Sequence, residues 1–287
     1  MPLLPLEEAR TLTHAFDGKA GALLFRFLRH ITSLDDLSDV YDACARDTGA
    51  DFARNVLDHT GADYMVGGAD NLRKLPDGPF ITVSNHPYGG IDGVVLVDLF
   101  GHLRPDYKVM VNKMLGAMKA LSPSIITVTP TGTRRTAPTS ESLKGVRLSM
   151  EHVRDGHPLG LFPSGAVSDL RVRTMKIEDR PWQEAVIRMI VKMNVPVIPV
   201  RFFDRNSMYY YLLGVISWKL RLTRLCREGI NKAGKRIRVG IGEPVLPDKL
   251  KALGDVSSQS AFLREKVYGM PLPGEFIPRG ELPLIQP

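Results

Sequence analysis

The stretch FITVSNHPYGGIDGVVLV, Phe80 to Val97, decides how the rest of the chain is read. Phe80 to Val83 is the apolar, β-branched run of a buried strand, and Ser84-Asn85-His86-Pro87 stops it with an imidazole at the strand's end. Gly89-Gly90 follow, then Ile91-Asp92-Gly93 and an apolar segment to Phe100 that reads as a helix. Asp92 lies six residues after His86, a step that puts the two on different faces of a regular helix. The chain between them must therefore turn back. Pro87 disfavours the helical conformation at His86, and two glycines accept the angles of a tight return. Folded so, Asp92 at the helix start can hold one imidazole nitrogen and leave the other to take a proton, the outline of a His-Asp general base. A helix-capping Asp beside a surface histidine is the plainer reading; the agreement of strand, stop, glycines and helix favours the catalytic one.

Outward from this motif, strand-like and helix-like segments alternate: strand 80–84, helix 91–100, strand 107–111, helix 114–121, strand 124–129, helix 140–154. Such βαβ alternation predicts an α/β sheet covered on both faces, with ligands at the strand ends. Thr129 to Thr139 is a Pro/Gly/Thr loop carrying Arg134 and Arg135, a pair that suits phosphate capture and solvent alike. Pro158 to Ser168 repeats the logic of the first motif, a short apolar strand stopping at Phe162-Pro163-Ser164-Gly165, with Arg171, Arg173 and Lys176 after it. Ser164 lacks the G-x-S-x-G elbow of a hydrolase nucleophile. Trp182 to Asn194 is helical, and the prolines in Val195 to Phe203 predict an edge or strand-end position for that strand. Arg236 to Ile241 alternates as a strand, Ser257 or Ser258 is expected to cap a helix to about Tyr268, and the proline-rich tail from Pro271 is expected to be a surface arm.

The 287 residues, 44% hydrophobic and 24% charged, suffice for a full core in one large domain with additions. No run of 18 apolar residues occurs, and acids follow soon after Met1 to Leu6, so neither a spanning helix nor a secretory signal is expected. Cys44 and Cys226 stand far apart without metal-ligand spacing. The net charge of +7 is concentrated: Arg201 to Arg238 holds ten Lys or Arg against two acids, Asp204 and Glu228, which calls for an anionic partner. No zinc-finger spacing, RNP-like string or recognition helix accompanies the charge, which speaks against nucleic acid.

Two stretches bear on where that partner lies. Ala22 to Ile31 sets Leu23, Leu24, Phe27, Leu28 and Ile31 on one stripe with Arg26, Arg29 and His30 off it, an amphipathic helix that fits a membrane interface or the body of the domain equally. Leu37 to Leu57 is a more acidic helical stretch, and Thr60 to Asp77 holds a strand and turns. Tyr209 to Trp218 is uncharged and aromatic and runs into Lys219, Arg221, Arg224 and Arg227, the order of an interfacial segment; a buried core helix with a solvated basic end is the alternative.

Taken in order, Asn85-His86 with Asp92, then Phe162-Pro163-Ser164-Gly165, then Val195-Pro196-Val197-Ile198-Pro199 resemble the motif series of the lysophospholipid and glycerol-phosphate acyltransferase superfamily, over about residues 70 to 245. More narrowly, SNHPYGGIDG and FPSGAVS resemble a bacterial branch often labelled hemolysin, which includes acyltransferases completing ornithine and glycine lipids. The His-to-Asp spacing here is one residue longer than the family's common one, a difference Gly89-Gly90 can absorb. The resemblance implies a mixed α/β sheet flanked by helices, with a helical N-terminal segment (1–60), an acyltransferase domain (61–250), and a C-terminal helix with its tail (251–287). It implies a general base, His86 with Asp92, acting on a lipid hydroxyl that attacks the thioester of acyl-CoA or acyl carrier protein, with no bound cofactor and no metal. Asn85, Asn112, Lys113, Arg134, Arg135, Pro163, Ser164, Gly165 and Arg171 become candidate substrate contacts, and backbone N–H groups near Gly165 or the helix start candidate oxyanion donors.

Where the phospholipid enzymes commonly carry Glu-Gly-Thr-Arg, this chain has Ser164-Gly165-Ala166-Val167. The missing arginine turns the expectation toward an aminolipid acceptor such as lyso-ornithine lipid, and away from lysophosphatidic acid unless Arg134, Arg135, Arg171 or Arg173 substitutes. The rivals are a 1-acylglycerol-3-phosphate acyltransferase and a non-catalytic, membrane-perturbing protein. The expected place is cytoplasmic, peripheral on an anionic inner membrane face, with acyl carrier protein a candidate partner.

Overall fold

A computed structural model of the chain describes residues 6, 7, 10, 14–128 and 140–282. Arg134 and Arg135 lie outside the described residues. Three helices, α1 (Gly18–Ile31), α2 (Leu34–Cys44) and α3 (Gly49–Thr60), lead into an α/β body. That body runs β1 (Asp63–Gly67), β2 (Ile81–Ser84), α4 (Gly90–Leu103), β3 (Lys108–Asn112), β4 (Ile125–Val128), α5 (Ser140–Arg154) and β5 (Leu159–Leu161). A small ribbon, β6 (Asp169–Arg171) with β7 (Lys176–Glu178), precedes α6 (Glu184–Met193) and β8 (Val197–Phe202). A helical hairpin, α7 (Met208–Ile216) and α8 (Trp218–Ile230), leads to β9 (Arg236–Ile241), α9 (Pro247–Lys251), α10 (Val256–Tyr268) and β10 (Ile277–Pro278).

Among the described residues, eight strands form one mixed sheet in the order β10-β1-β9-β8-β2-β5-β3-β4. From β8 to β4 every pairing is parallel; β8 meets β9 antiparallel, β9 and β1 run together, and β10 returns antiparallel to β1. The period-two alternation of a strand divides the core between the two faces. Ile198, Val200 and Phe202 point toward the layer that holds Phe52 and Leu57 of α3 and Val95, Leu96 and Leu99 of α4. Val197, Ile81, Val83 and Leu159 point the other way, onto Val153 of α5, Ile187 and Ile190 of α6, and Leu263 and Val267 of α10. Helices α2 and α3 belong to this core through Val40, Cys44, Phe52 and Leu57, and a Cβ on Gly101 of α4 would come within 2.9 Å of the Ala50 methyl of α3.

Four expectations are corrected. Residues 114–121 do not form one α-helix; Gly116 and Pro123 break the short link into 3-10 turns, Lys113–Ala117 and Lys119–Ser124. Helix α10 is capped by Asp255, whose carboxylate accepts from the Ser258 N–H at 3.0 Å, and not by Ser257 or Ser258. The tail after Pro271 is no free arm: Ile277 and Pro278 pair with Val66 and Met65, Leu282 is buried, and Arg279 forms an ion pair with Asp58.

The strand carrying the prolines, β8, lies inside the sheet between β2 and β9. Proline is tolerated there because of which way its missing donor points. Val197 exchanges bonds with Val245 on the β9 side at 2.9 and 2.8 Å, so Pro199, two residues on, also faces that side. There the partner strand has broken at Gly242-Glu243-Pro244, and only the Pro199 carbonyl is engaged, by the Gly242 N–H at 2.8 Å. No ladder donor is lost.

Gly160 of β5 gives a direct test of sheet packing. The Tyr107 hydroxyl crosses it to meet the Thr82 hydroxyl at 2.7 Å, and a Cβ on Gly160 would strike that hydroxyl and lie 2.9 Å from Tyr107 Cζ. Gly160→Ala should destabilise the protein by about 2 kcal/mol in urea denaturation, and Tyr107→Phe in that background should recover part of the loss.

Candidate active site

The C-terminal ends of the parallel strands gather the chemistry of the chain along one edge of the sheet. His86 follows β2; Phe162 to Gly165 follow β5, its neighbour; Asn112 and Lys113 close β3, one strand further, roughly 10 Å from β2 at the usual spacing. Asn206 stands beyond β8 on the other side.

The loop between β2 and α4 turns back as its glycines require. Gly89 sits at φ +87° as the cap of α4, a conformation that a side chain would strain, and a Cβ there would also press on Leu225 at 2.9 Å. The return brings Asp92 Oδ2 within 2.9 Å of His86 Nδ1, and the same oxygen accepts the N–H groups of Tyr88 at 2.9 Å and Gly89 at 3.0 Å. Asp92 is fully buried, whereas the His86 side chain keeps 18% of its surface open. The imidazole approaches the oxygen at an angle rather than along the line of an ideal hydrogen bond. Burial pushes the Asp92 carboxyl up from its ordinary range, opposed by the His86 contact and the two backbone donors.

The turn after β5 meets the histidine through its aromatic ring. Phe162 stacks on the imidazole with centroids 4.1 Å apart and planes 32° apart. Pro163 and Ser164 are buried, and the Ser164 hydroxyl donates to the Ala166 carbonyl at 2.8 Å, so it closes its own turn. Gly165, at φ +65°, already donates its N–H to Phe162 O at 2.9 Å, which removes it as an oxyanion donor. Asn85 is likewise occupied. Its amide donates to Phe202 O at 2.9 Å and accepts from Phe202 N–H at 2.8 Å, clipping the end of β2 to β8 where a substrate contact was expected. Arg171 donates to the Asp179 carbonyl at 3.2 Å. Asn112 and Lys113 are exposed at the end of β3.

Residues not among the candidate site residues hold the His86 loop from outside. Asp179, buried, accepts from the His86 N–H at 3.1 Å, the Ser168 hydroxyl at 2.6 Å and the Trp182 indole at 3.2 Å, while Ser168 N–H donates to His86 O at 2.9 Å. Tyr211 donates its hydroxyl to Pro87 O at 2.7 Å, and burial keeps that phenol protonated by pushing its pKa up. The Asn206 amide donates to Pro87 O and Tyr88 O at 3.4 and 3.2 Å; its oxygen accepts from Lys232, whose buried ammonium lies 3.4 Å from Glu228. In the sequence, the polar break Asp204-Arg205-Asn206-Ser207 after β8 and the aromatic segment Tyr209 to Trp218 mark part of this set.

A buried carboxylate set against a partly exposed histidine at the carboxyl edge of an α/β sheet is an arrangement suited to proton transfer. The chain belongs to the acyltransferase family: a family model described as "Acyltransferase" matches residues 6–272. It is therefore an acyltransferase. It is similar to a protein of Phocaeicola vulgatus named lyso-glycine lipid O-acyltransferase, 26% identical over 249 residues that cover 84% of this chain and 85% of that protein. A Bacteroides thetaiotaomicron protein of the same name is 27% identical over 226 residues, 76% of this chain and 79% of its own length. Among solved structures it is similar to the 1-acyl-sn-glycerophosphate (LPA) acyltransferase PlsC of Thermotoga maritima, with a TM-score of 0.46, 16% identity, and 75% and 78% of the two chains covered.

The support behind the loop has its own pH signature. Burial pushes the Glu228 carboxyl up, but the Ser207 hydroxyl and N–H and the Lys232 ammonium outweigh it, so Glu228 titrates below the ordinary glutamate range. Its stabilisation is complete above that range and is lost as pH falls through the depressed value. Glu228→Gln should cost about 3 kcal/mol at pH 7 by urea denaturation, because it leaves a buried ammonium without its counter-charge, and its deficit should shrink as the wild type is acidified below about pH 4.

Proposed function

We propose that the protein transfers a fatty acyl group from acyl-CoA or acyl carrier protein to the hydroxyl of a lysolipid, with an aminolipid acceptor of the lyso-glycine or lyso-ornithine kind. The carrying observation is the 2.9 Å contact between His86 Nδ1 and the buried Asp92 Oδ2. With the proton held on Nδ1, Nε2 is left as the base. It takes the proton of the acceptor hydroxyl as that oxygen bonds to the thioester carbonyl carbon; collapse of the tetrahedral intermediate breaks the C–S bond, and the departing thiolate takes the proton from the imidazolium. A thiolate leaves readily, so no acyl-enzyme is required. Asp92 fixes the tautomer and offsets the imidazolium charge. With Gly165 spent in its turn, the first-turn amides of α4, Gly90 and Ile91, are the oxyanion donors, at roughly 3 kcal/mol each where such donors have been removed from other enzymes.

The acceptor assignment rests on Val167 and on the names of the two curated relatives. At the position where phospholipid enzymes commonly place arginine, Val167 packs with Leu225 beside Gly89, within 3.3 Å of where a Cβ on Gly89 would be. An apolar contact stands where a phosphate would need a cation. The acceptor is a membrane lipid, so the enzyme works as a peripheral protein at an anionic membrane surface; among the described residues no helix is long and apolar enough to cross a membrane.

Purified protein incubated with long-chain acyl-CoA or acyl carrier protein and a panel of lyso-glycine lipid, lyso-ornithine lipid and lysophosphatidic acid should yield diacyl aminolipid by mass spectrometry. Preference for lysophosphatidic acid would overturn the aminolipid assignment. His86→Ala should lower kcat by about 10²–10⁴ with little change in stability, and Asp92→Asn should lower it comparably with a small change in melting temperature, since its amide oxygen can still accept the Tyr88 and Gly89 N–H groups. A fully active His86→Ala would eliminate the general base.

A further inference from the structure

Helices α7 and α8 have two unlike faces. The inner face belongs to the catalytic loop: Tyr210 and Tyr211 are buried, Tyr211 holds Pro87 O, and Leu225 packs at Gly89. The outer face carries eight exposed large apolar side chains between Met208 and Leu222, among them Tyr209, Leu212, Ile216 at 73% and Trp218 at 58% exposure. Beside it the β6–β7 ribbon, which packs against α7, exposes Val172 and Met175 at its turn. A patch of this kind on a soluble surface marks a contact.

We infer that the outer face of the α7–α8 hairpin, with the turn of the β6–β7 ribbon, is the surface by which this enzyme docks onto an anionic lipid bilayer. The inference deepens the lipid-acceptor reading above and rests on it. Charge complementarity selects the occupant. The exposed ionic groups on the hairpin and the ribbon are cations: Lys219 and Arg227 on α8, Arg173 and Lys176 on the ribbon. Of the acids on these elements, Glu228 and Asp169 are turned inward, onto Lys232 and onto Arg180 and Arg221, and the half-buried Glu178 is paired with Arg264. Lys219 lies 6.0 Å from the Trp218 ring centroid and Arg224 lies 5.2 Å from that of Tyr209, the pairing of aromatic body and cationic tip suited to a headgroup layer. An acidic protein partner would satisfy the cations but leave the Ile216-to-Trp218 apex in water; a bilayer takes both. One helix thickness, about 10 Å, then separates the lipid from the loop that holds His86, and an acceptor need only slide along the hairpin to reach it.

The test uses the full chain with phosphatidylglycerol-rich and pure phosphatidylcholine vesicles in a co-sedimentation assay. Two doubly substituted variants accompany it: Ile216→Glu with Trp218→Glu, and Leu23→Glu with Phe27→Glu on the exposed stripe of α1. Transfer to a short-chain, water-soluble lysolipid is measured in parallel. The wild type should bind the anionic vesicles and bind phosphatidylcholine less. The hairpin variant should lose about tenfold or more in partitioning while its transfer to the soluble acceptor is unchanged; the α1 variant should lose less. Wild-type failure to bind, or binding by the hairpin variant equal to wild type, overturns the assignment. So does a hairpin variant that loses affinity for acyl carrier protein, or becomes monomeric from a dimer, while vesicle binding persists. Vesicle binding with no transfer to any acceptor would sink the enzymatic reading and leave the docking surface standing.

Discussion

The structure depends on one carboxylate kept out of water. Asp92 can be buried only because the chain supplies donors to one of its oxygens, and those donors are consecutive N–H groups of the loop that also carries His86. Withdrawing a carboxylate from solvent is costly unless hydrogen bonds compensate it. The loop therefore cannot open without exposing its own ligand, and the histidine is oriented as a by-product of neutralising the acid. Fold stability and the orientation of His86 are tied at this point to the same few atoms.

Later parts of the chain close around that loop. Asp179 takes the His86 N–H, Tyr211 and Asn206 take the carbonyls of Pro87 and Tyr88, and Phe162 covers the ring. The contacts come from two connections, Phe162 and Asp179 after β5 and Asn206 and Tyr211 after β8, so the site is assembled by strand order: β2 lies between β5 and β8, and the segments that follow those neighbours reach it.

The sequence carried much of this in local form. Strand, glycine turn and helix around His86 were legible because each depends on side-chain period or backbone angle, which neighbouring residues set. The acyltransferase motifs could be read for the same reason. What escaped was long-range. Asp179 is an acid ninety-three residues from the amide it accepts, and nothing in Glu178-Asp179-Arg180 distinguishes it from a surface turn. Asn85 looked like a cleft residue, but its amide completes the sheet against Phe202, a pairing visible only once β8 is known to lie beside β2. A proline-rich tail reads as an arm because such segments rarely pair; Ile277 and Pro278 do so at an edge, where a missing donor costs nothing.

Pro199 has a consequence of another kind. A slip of β8 by one residue would exchange the two faces of the strand, moving Ile198, Val200 and Phe202 into the opposite layer. It would also swing the proline nitrogen from the broken β9 side to the continuous ladder with β2, where Ser84 and Val83 need their partners. The misregistered sheet is penalised twice, in packing and in hydrogen bonding, so the proline acts as a key that admits only one alignment of the strand on which Asn85, and with it the end of β2, is anchored.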